Sequence, residues 1–229
     1  MNLRWKLAQA AEVRWWKAYL RKKNPEDYLR QKADYWRRVL QAAQYEPGPG
    51  ALVLDAGCGP AGVFLILNEQ EVHAVDPLLE AYRAGLPHFE PSRYPNVRFF
   101  NQPLEGFQPP VLYDTIFCFN AINHVAHLGR SLEVLAGALK PGGRLLLSVD
   151  AHNYAFLKRL FQWLPGDVLH PHQYSLEEYQ RMITEKGLAV KRKVRFKEGV
   201  IFDYFLMVAE RKAGKLGTRM EGTFKVPSI

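Results

Sequence analysis

The chain contains very little cysteine, with only Cys58 and Cys118 among its 229 residues. Two isolated thiols cannot build a disulfide framework, and no cysteine and histidine cluster at metal-ligand spacing accompanies them. We therefore expect free thiols, a reducing compartment and no bound metal.

Long apolar runs are also missing. No stretch could span a bilayer, and residues 1–20 mix charges with tryptophan instead of forming a charged and then apolar leader. These absences favour a cytoplasmic protein without a transmembrane segment. The length suits one domain with appended helices, and no internal repeat is visible.

Acidic residues are scarce in both flanks. Residues 1–45 hold 11 Lys and Arg against 4 Asp and Glu, and residues 186–229 again hold 11 against 4. The middle, residues 46–185, has 9 basic and 15 acidic residues. Basic flanks around an acidic core can attract anionic substrates, nucleic acid or an anionic membrane, and they can equally serve only solubility.

The most informative stretch is a glycine turn in residues 51–67. An apolar run ends at Asp55, glycines follow at positions 57, 59 and 62, and a second apolar run begins at Val63. The pattern predicts a buried strand, a tight turn and a helix. Glycine can take positive φ and lets a ligand approach the main chain, and the first N–H groups of a helix can donate to that ligand. The turn is therefore a candidate binding site, although it could also be a plain connector.

The three glycines match the G-x-G-x-x-G spacing of dinucleotide-binding folds, but the Asp55 carboxylate would repel a phosphate and would suit an ammonium group. Residues 54–60, Leu-Asp-Ala-Gly-Cys-Gly-Pro, resemble the first motif of the class I S-adenosylmethionine-dependent methyltransferases. The resemblance implies that Gly57, Cys58 and Gly59 hold the methionine part of S-adenosylmethionine, with Asp55 near its amino group. A nicotinamide oxidoreductase is disfavoured by the same acid.

A second acid, Asp76, ends the next predicted strand, residues 72–76. The Asp76 carboxylate could accept from both ribose hydroxyls, as an acid does at this point in dinucleotide enzymes, and the methyltransferase resemblance implies the same role. Pro77 is assigned to the site beside it. Asp76 could also cap a helix that begins at Pro77, and the two roles are compatible.

Two further segments match the family more loosely. After a predicted strand at Val97–Phe100, the resemblance implies that Gln102 and Leu104 contact adenine, although Pro103 stands where many relatives have an aspartate or asparagine. A fourth strand is predicted for residues 113–120. There the resemblance assigns Asn120 to the methionine part of the cofactor and makes His124 the candidate catalytic base. A lone histidine can equally be a hydrogen-bonded structural residue.

The pattern of residues 128–139 predicts a helix, and the following Lys-Pro-Gly-Gly turn precedes a fifth strand at residues 144–149. Residues 150–174 form an insertion that would lie over the pocket as a substrate-side lid. It carries His170 and His172, for which substrate contact is favoured over metal binding. A capping box at Ser175 starts another helix, which Gly187 ends. The last two strands are predicted at residues 189–196 and 200–209.

Two amphipathic helices are predicted before the glycine turn. In residues 3–20 the spacing of Leu7, Ala11, Trp15 and Ala18 assigns those side chains to the inward face and leaves Trp5 and Trp16 for exposure. The second helix starts at Asn24 and Pro25, with Leu29, Ala33, Trp36, Leu40 and Ala43 facing inward. We expect residues 1–46 to form a helical cap over the acceptor.

The predicted fold is α/β: a doubly wound, mostly parallel, seven-stranded sheet with the last strand antiparallel and appended N-terminal helices. The methyltransferase domain would occupy residues 47–210 and a basic tail residues 211–229. The resemblance implies methyl transfer from S-adenosylmethionine to a small-molecule or lipid-like acceptor. An RNA methyltransferase, or a non-catalytic protein of this fold that acts through its basic flanks, stays open. RNA is the less favoured partner, because no RNA-recognition signature is present.

Overall fold

The computed structural model describes residues 3–152, 174–197 and 202–213. Its seven strands are β1 (Leu52–Ala56), β2 (Glu71–Val75), β3 (Val97–Phe100), β4 (Tyr113–Cys118), β5 (Leu139–His152), β6 (Leu188–Lys197) and β7 (Phe202–Arg211). They form one sheet in the order β3-β2-β1-β4-β5-β7-β6. Only β7 runs antiparallel to its neighbours. The predicted fold class is confirmed, including the antiparallel last strand.

Five α-helices accompany the sheet in the described part of the chain: α1 (Leu3–Leu20), α2 (Pro25–Ala43), α3 (Leu79–Gly85), α4 (Leu128–Ala138) and α5 (Leu176–Glu185). Two of the predicted caps are observed. The Asn24 side chain accepts from the Asp27 N–H at 3.2 Å, and Ser175 forms the capping box with Glu178. These caps satisfy N–H groups that a helix start leaves without intrahelical partners.

Strand residues alternate between two core clusters because successive side chains point to opposite faces of a sheet. Val53 and Phe117 belong to the cluster that includes side chains of α2 and α3, whereas Leu54 and Ile116 belong to the cluster that includes side chains of α4 and α5. Both faces of the central strands are thus covered, as in doubly wound α/β proteins.

The segment between β1 and β2 differs from the prediction. Its apolar run forms only one 3₁₀ turn, Val63–Ile66, and no α-helix. The physical reason is the short distance to β2, because the polar residues 68–70 lead directly into that strand. Helix α2 packs against this turn. The Trp36 Nε1–H donates to the Ala61 carbonyl oxygen at 2.9 Å in a buried hydrogen bond.

The inward face predicted for α1 is wrong. Trp15 is 53% exposed, and Ala11 and Ala18 are exposed as well. Trp16, predicted to be exposed, packs edge to face on Tyr82 with ring centroids 6.4 Å apart. The prediction for α2 is confirmed at Trp36, Leu40 and Ala43, which are buried.

Several predictions lie outside the described residues. They concern most of the lid at 150–174, with His170 and His172, and most of the tail at 211–229. In the part of the chain that is described, no helix combines the length and the apolar character that a bilayer span needs.

Candidate functional site

The glycine turn leaves β1 at the carboxyl edge of the sheet. Gly57 and Gly59 have φ angles of +71° and +58°, which glycine adopts without steric cost. The Gly57 and Cys58 N–H groups both donate to the Val75 carbonyl oxygen, at 2.7 and 3.2 Å, and this ties the turn to the end of β2. Cys58 is buried, and burial raises the pKa of its thiol, so the thiol stays protonated.

The two positive-φ glycines have different surroundings. A Cβ on Gly57 would lie 2.2 Å from the Ala121 Cβ, so Gly57 lets the segment after β4 pack directly on the turn. A Cβ on Gly59 would meet no atom within 4 Å. The turn therefore faces open space at Gly59, where a ligand can reach the main chain.

Asp55 points into the turn. Its carboxylate is 3% exposed and accepts from the Phe64 N–H at 3.1 Å. A Cβ on Gly62 would lie 2.3 Å from the same carboxylate oxygen, so Gly62 makes room for it. Burial raises the pKa of Asp55 to about 7. In this structure the residue stabilises the loop, and its predicted role near the cofactor's amino group stays a prediction.

Asp76 follows β2 and faces the glycine turn. One carboxylate oxygen accepts from the Gly59 N–H at 3.0 Å and the other from the Leu78 N–H at 2.8 Å. Burial raises the pKa of Asp76 to about 7, with a smaller contribution from the nearby charge of Glu12. The acid is thus fixed beside the open side of the turn. The prediction that it caps a helix beginning at Pro77 is wrong, because α3 begins at Leu79 and Leu78 is its N-cap residue, without a side-chain cap.

The sequence placed α1 in the helical cap but did not single out Glu12 as a residue near this site. Glu12, on α1, accepts from the Tyr82 hydroxyl at 3.4 Å and brings a second carboxylate into the neighbourhood of Asp76. The only signal was an acid in a helix that is otherwise basic and aromatic. The sequence analysis took that helix to present a different face to the sheet.

Asn120 lies just beyond the end of β4 with a φ angle of +52°, a region that asparagine tolerates better than most residues. Its N–H donates to the Ser148 Oγ on β5 at 2.8 Å, and its side chain is exposed. Ser148 was missed by the sequence analysis, because only the pairing of β4 with β5 brings it here. The hydrogen bond fixes Asn120 beside Ala121 and hence beside Gly57.

His124 ends a 3₁₀ turn, Ile122–His124, and its N–H donates to the Ala121 carbonyl oxygen at 3.0 Å. The side chain is half-buried. The neighbouring Asn123 is buried and accepts from the Tyr179 hydroxyl at 2.6 Å, which links the turn to α5. His124 is therefore held on a supported loop at the same sheet edge as the glycine turn, while its catalytic role stays a prediction.

The residues assigned to adenine follow β3. The Gln102 N–H donates to the Phe100 carbonyl oxygen at 3.1 Å, and the Gln102 side chain is half-buried. Leu104 is 5% exposed and packs in the core cluster with Phe107 and Val125. Leu104 is thus part of the core next to this edge of the sheet. Contact of Gln102 or Leu104 with adenine stays a prediction.

The topology thus brings Gly59, Asp76, Asn120 and His124 to one edge, at the carboxyl ends of β1, β2 and β4, where open α/β sheets bind ligands. An open glycine and a buried acid suit a ligand with a diol and a cationic group. Within the described ranges, no group of three His, Cys, Asp or Glu side chains could hold a metal ion. Cys58 and Cys118 are both free thiols.

Comparison with known proteins defines the class. The fold is that of a class I S-adenosylmethionine-dependent methyltransferase. A family model described as a methyltransferase domain matches residues 28–193. The chain belongs to this family, and the resemblance seen in the sequence is confirmed. The match begins inside α2, so it includes the part of that helix that packs on the sheet.

Relatives in the same family are distant. A ubiquinone biosynthesis O-methyltransferase of Rickettsia felis is 24% identical over 164 residues, covering 66% of this chain and 64% of that protein. The corresponding Xylella fastidiosa protein (strain M23) is 33% identical over 103 residues, covering 43% of this chain and 42% of its own length. The chain therefore matches less than two thirds of the length of these relatives.

Solved structures agree on the fold. YcgJ from Bacillus subtilis superposes with a TM-score of 0.63 at 19% identity, covering 77% of this chain and 98% of that one. A Burkholderia thailandensis 1,6-didemethyltoxoflavin-N1-methyltransferase, solved with S-adenosylhomocysteine, superposes with a TM-score of 0.60 at 19% identity, covering 89% and 85%. At these identities the likeness concerns the fold alone.

Proposed function

We propose that this protein transfers a methyl group from S-adenosylmethionine to a small-molecule or lipid-like acceptor. The observation that carries the proposal is the open glycine turn at Gly59, bonded through its N–H to the buried Asp76. A ribose diol needs two acceptor positions on one carboxylate, and each oxygen of Asp76 can accept a second hydrogen bond beside the one it already accepts from the main chain. The methionine part would pack against the open side of the turn at Gly59.

In the proposed complex, the residues of the chain bind and orient. Asp76 accepts from the ribose hydroxyls, the turn at Gly57, Cys58 and Gly59 receives the methionine part, and Asn120 lies beside it. S-adenosylmethionine supplies a sulfonium methyl group that is already activated for transfer. The protein then has to align the acceptor with that group and exclude water.

His124 is the proposed base. An acceptor hydroxyl loses its proton as the methyl group is transferred, and a neutral imidazole can take that proton near neutral pH. His124 lies on the turn after β4, four residues beyond Asn120, which suits a group acting on the acceptor side of the site. The hydrogen bond from the Tyr179 hydroxyl to Asn123 holds the turn that carries His124.

The acceptor is proposed from the relatives and from the N-terminal helices. The named relatives are ubiquinone biosynthesis O-methyltransferases, which favours an aromatic, lipid-like hydroxyl compound. Trp36 of α2 stacks on Phe119 next to Asn120, with centroids 5.4 Å apart, and provides an apolar boundary on that side. The N-terminal helices and residues 150–174 remain the proposed acceptor cover. A cytoplasmic location is part of the proposal and rests on the free cysteines.

The test is a transfer assay with methyl-labelled S-adenosylmethionine. The purified protein is incubated separately with the lipid fraction, the small-molecule fraction and the RNA fraction of a bacterial extract, and the labelled product is identified by mass. We expect label in a lipid-soluble or small aromatic compound. The matched control is Asp76→Asn, which should lose most of the signal at limiting cofactor.

Label that appears only in RNA would replace this proposal with an RNA methyltransferase. Cofactor binding without label in any fraction would instead favour the non-catalytic binding protein.

A further inference from the structure

The outer face of α1 carries two large aromatic side chains in solvent. Trp15 is 53% exposed and Tyr19 is 42% exposed. Their rings stack with centroids 4.8 Å apart and planes 7° apart. Three exposed cations flank them: Arg14 on the helix, and Arg21 and Lys22 just after it. We call these five residues the α1 aromatic face.

The side of α1 next to this pair anchors the helix to the body of the protein, and the Trp16 ring there contacts both Trp15 and Tyr19. Trp16 packs on Tyr82 of α3, and the Tyr82 hydroxyl donates to Glu12 at 3.4 Å. Lys17 lies over Gly85 at the end of α3, so closely that a Cβ on that glycine would collide with its side chain. The aromatic face is therefore presented outward from a docked helix.

The face has a uniform charge. Glu12 is the only acid in residues 3–23, and it points inward to Tyr82. The first acids of α2 are paired, because Glu26 accepts from Arg93 at 2.6 Å and Asp27 accepts from Arg30. The cations around Trp15 and Tyr19 thus have no acidic neighbour on their own helix face.

We propose that the α1 aromatic face docks the protein on the surface of an anionic phospholipid bilayer. Tryptophan and tyrosine favour the headgroup region, where their rings meet the acyl boundary and their polar atoms meet water. Lysine and arginine beside them are attracted to anionic headgroups. A helix that combines both on one face, and is anchored by the other, suits binding in the plane of a membrane.

The ring contacts favour a bilayer over single-stranded RNA. RNA bases bind aromatic side chains by stacking on their faces. One face of Tyr19 is covered by Trp15, and the Lys23 ammonium group lies 3.6 Å from the ring centroid over the same tyrosine. Two groups this close to one ring occupy both faces of Tyr19, so a base could stack only on the outer face of Trp15. A bilayer contacts the edges and the exposed apolar area, which remain available.

This inference goes beyond the proposed function and does not depend on turnover. Glu12 connects α1 to the neighbourhood of Asp76, so a bilayer bound to the outer face would lie next to the helix that borders the cofactor site.

The experiment is flotation of the full chain with vesicles of phosphatidylcholine alone and of phosphatidylcholine mixed with phosphatidylglycerol. We expect binding to the mixed vesicles only, lost at high salt because surface attraction is screened. Trp15→Ser with Tyr19→Ser should weaken binding at least about tenfold, since two exposed aromatic contacts are removed. Arg14→Gln with Lys22→Gln should weaken it about 25-fold, at about fivefold per cation.

Matched controls lie on other surfaces. Leu112→Ser removes another large exposed apolar side chain, which is 46% exposed and lies just before the start of β4. Arg181→Gln removes an exposed cation on α5. Neither should change vesicle binding. S-adenosylmethionine affinity and thermal melting of each variant verify that the fold is intact, and both should match the parent protein.

Three results would overturn the proposal. The first is no binding to anionic vesicles, or binding that the Trp15 and Tyr19 substitutions leave unchanged. The second is salt-resistant binding of single-stranded RNA that these substitutions abolish. The third is a dimer in light scattering that dissociates in the same variant, because the face would then bind a second copy of the chain.

Discussion

At the scale of single residues, Gly57 and Gly59 meet two different steric requirements within one turn. Gly57 is in contact with Ala121, so a side chain there would push the segment after β4 away. A Cβ on Gly59 would face open space. Glycine at this position therefore allows the positive φ angle of the backbone and leaves room for a ligand. A substitution at each position therefore separates folding from binding.

We predict that Gly59→Ala costs about 1–2 kcal/mol of stability from its left-handed φ and weakens S-adenosylmethionine binding strongly. Gly50→Ala is the matched control, because Gly50 has a φ of +70° and also nothing within 4 Å, but lies before β1. It should lose similar stability and keep full affinity. Urea unfolding and calorimetry measure the two quantities. Equal affinity in both variants would mean that the ligand does not approach the turn at Gly59.

His124→Gln tests the proposed base. If His124 takes the proton from the acceptor hydroxyl, kcat of the variant should fall about 10²–10⁴-fold, while its affinity for S-adenosylmethionine stays the same. His127→Gln, at an exposed position three residues later, is the control and should behave like the parent protein. The measurement is the pH profile of kcat with the acceptor identified above. A parent-like profile in His124→Gln would make this histidine a structural residue.

At the scale of secondary-structure elements, α2 supports the glycine turn. Its Trp36 is 5% exposed, donates to the Ala61 carbonyl and stacks on Phe119. Trp36→Phe would leave that buried carbonyl without its donor, and we predict a loss of about 1–3 kcal/mol in the free energy of unfolding. Trp15→Phe, on the exposed face of α1, should change it by less than about 0.5 kcal/mol. Denaturant titrations of both variants check this, and similar losses in the two would contradict it.

Elements with strong local signals were predictable. The caps at Asn24 and Ser175, the glycines of the turn and the apolar strands each depend on neighbouring residues, and the structure contains them. The inward face of α1 was not predictable, because Trp15 and Trp16 are adjacent aromatics and only the position of Tyr82 decides which one is buried. The missing helix after β1 was not predictable either, because only the start of β2 at Glu71 shows how short the segment after Val63 is.

The residues of the candidate site also fall into those that the sequence could predict and those that it could not. Asp55 lies at the end of β1, and Asp76 and the glycines follow β2 and β1 directly, so their positions could be read from the chain. Ser148 and Glu12 could not, because they reach the site only through the pairing of β4 with β5 and the docking of α1 on α3.

At the scale of the whole molecule, two buried acids should make stability depend on pH. Burial raises the pKa of Asp55 and of Asp76 to about 7, whereas both titrate near pH 4 in an unfolded chain. Between these values the folded chain binds more protons than the unfolded chain. The cofactor-free protein should therefore lose stability as the pH rises through about 7, by on the order of a few kcal/mol.

Melting temperatures of the cofactor-free protein between about pH 5 and pH 8 check this prediction. Asp76→Asn removes one of the two titrations and should flatten the decline. Asp34→Asn changes an exposed acid whose side chain is 58% exposed, and it should leave the decline as it is. A parent-like decline in Asp76→Asn would show that Asp76 is ionised in the folded protein at all these pH values.

The central claim is that the edge of the sheet formed by Gly59 and Asp76 binds S-adenosylmethionine. Isothermal titration calorimetry of the full chain with S-adenosylmethionine, S-adenosylhomocysteine and NAD tests it most directly. We predict one site for each of the two sulfur compounds, no heat with NAD, and an affinity that is about 1–3 kcal/mol weaker in Asp76→Asn because ribose hydrogen bonds are lost. Tight NAD binding with no response to either sulfur compound, or an unchanged affinity in Asp76→Asn, would contradict the account.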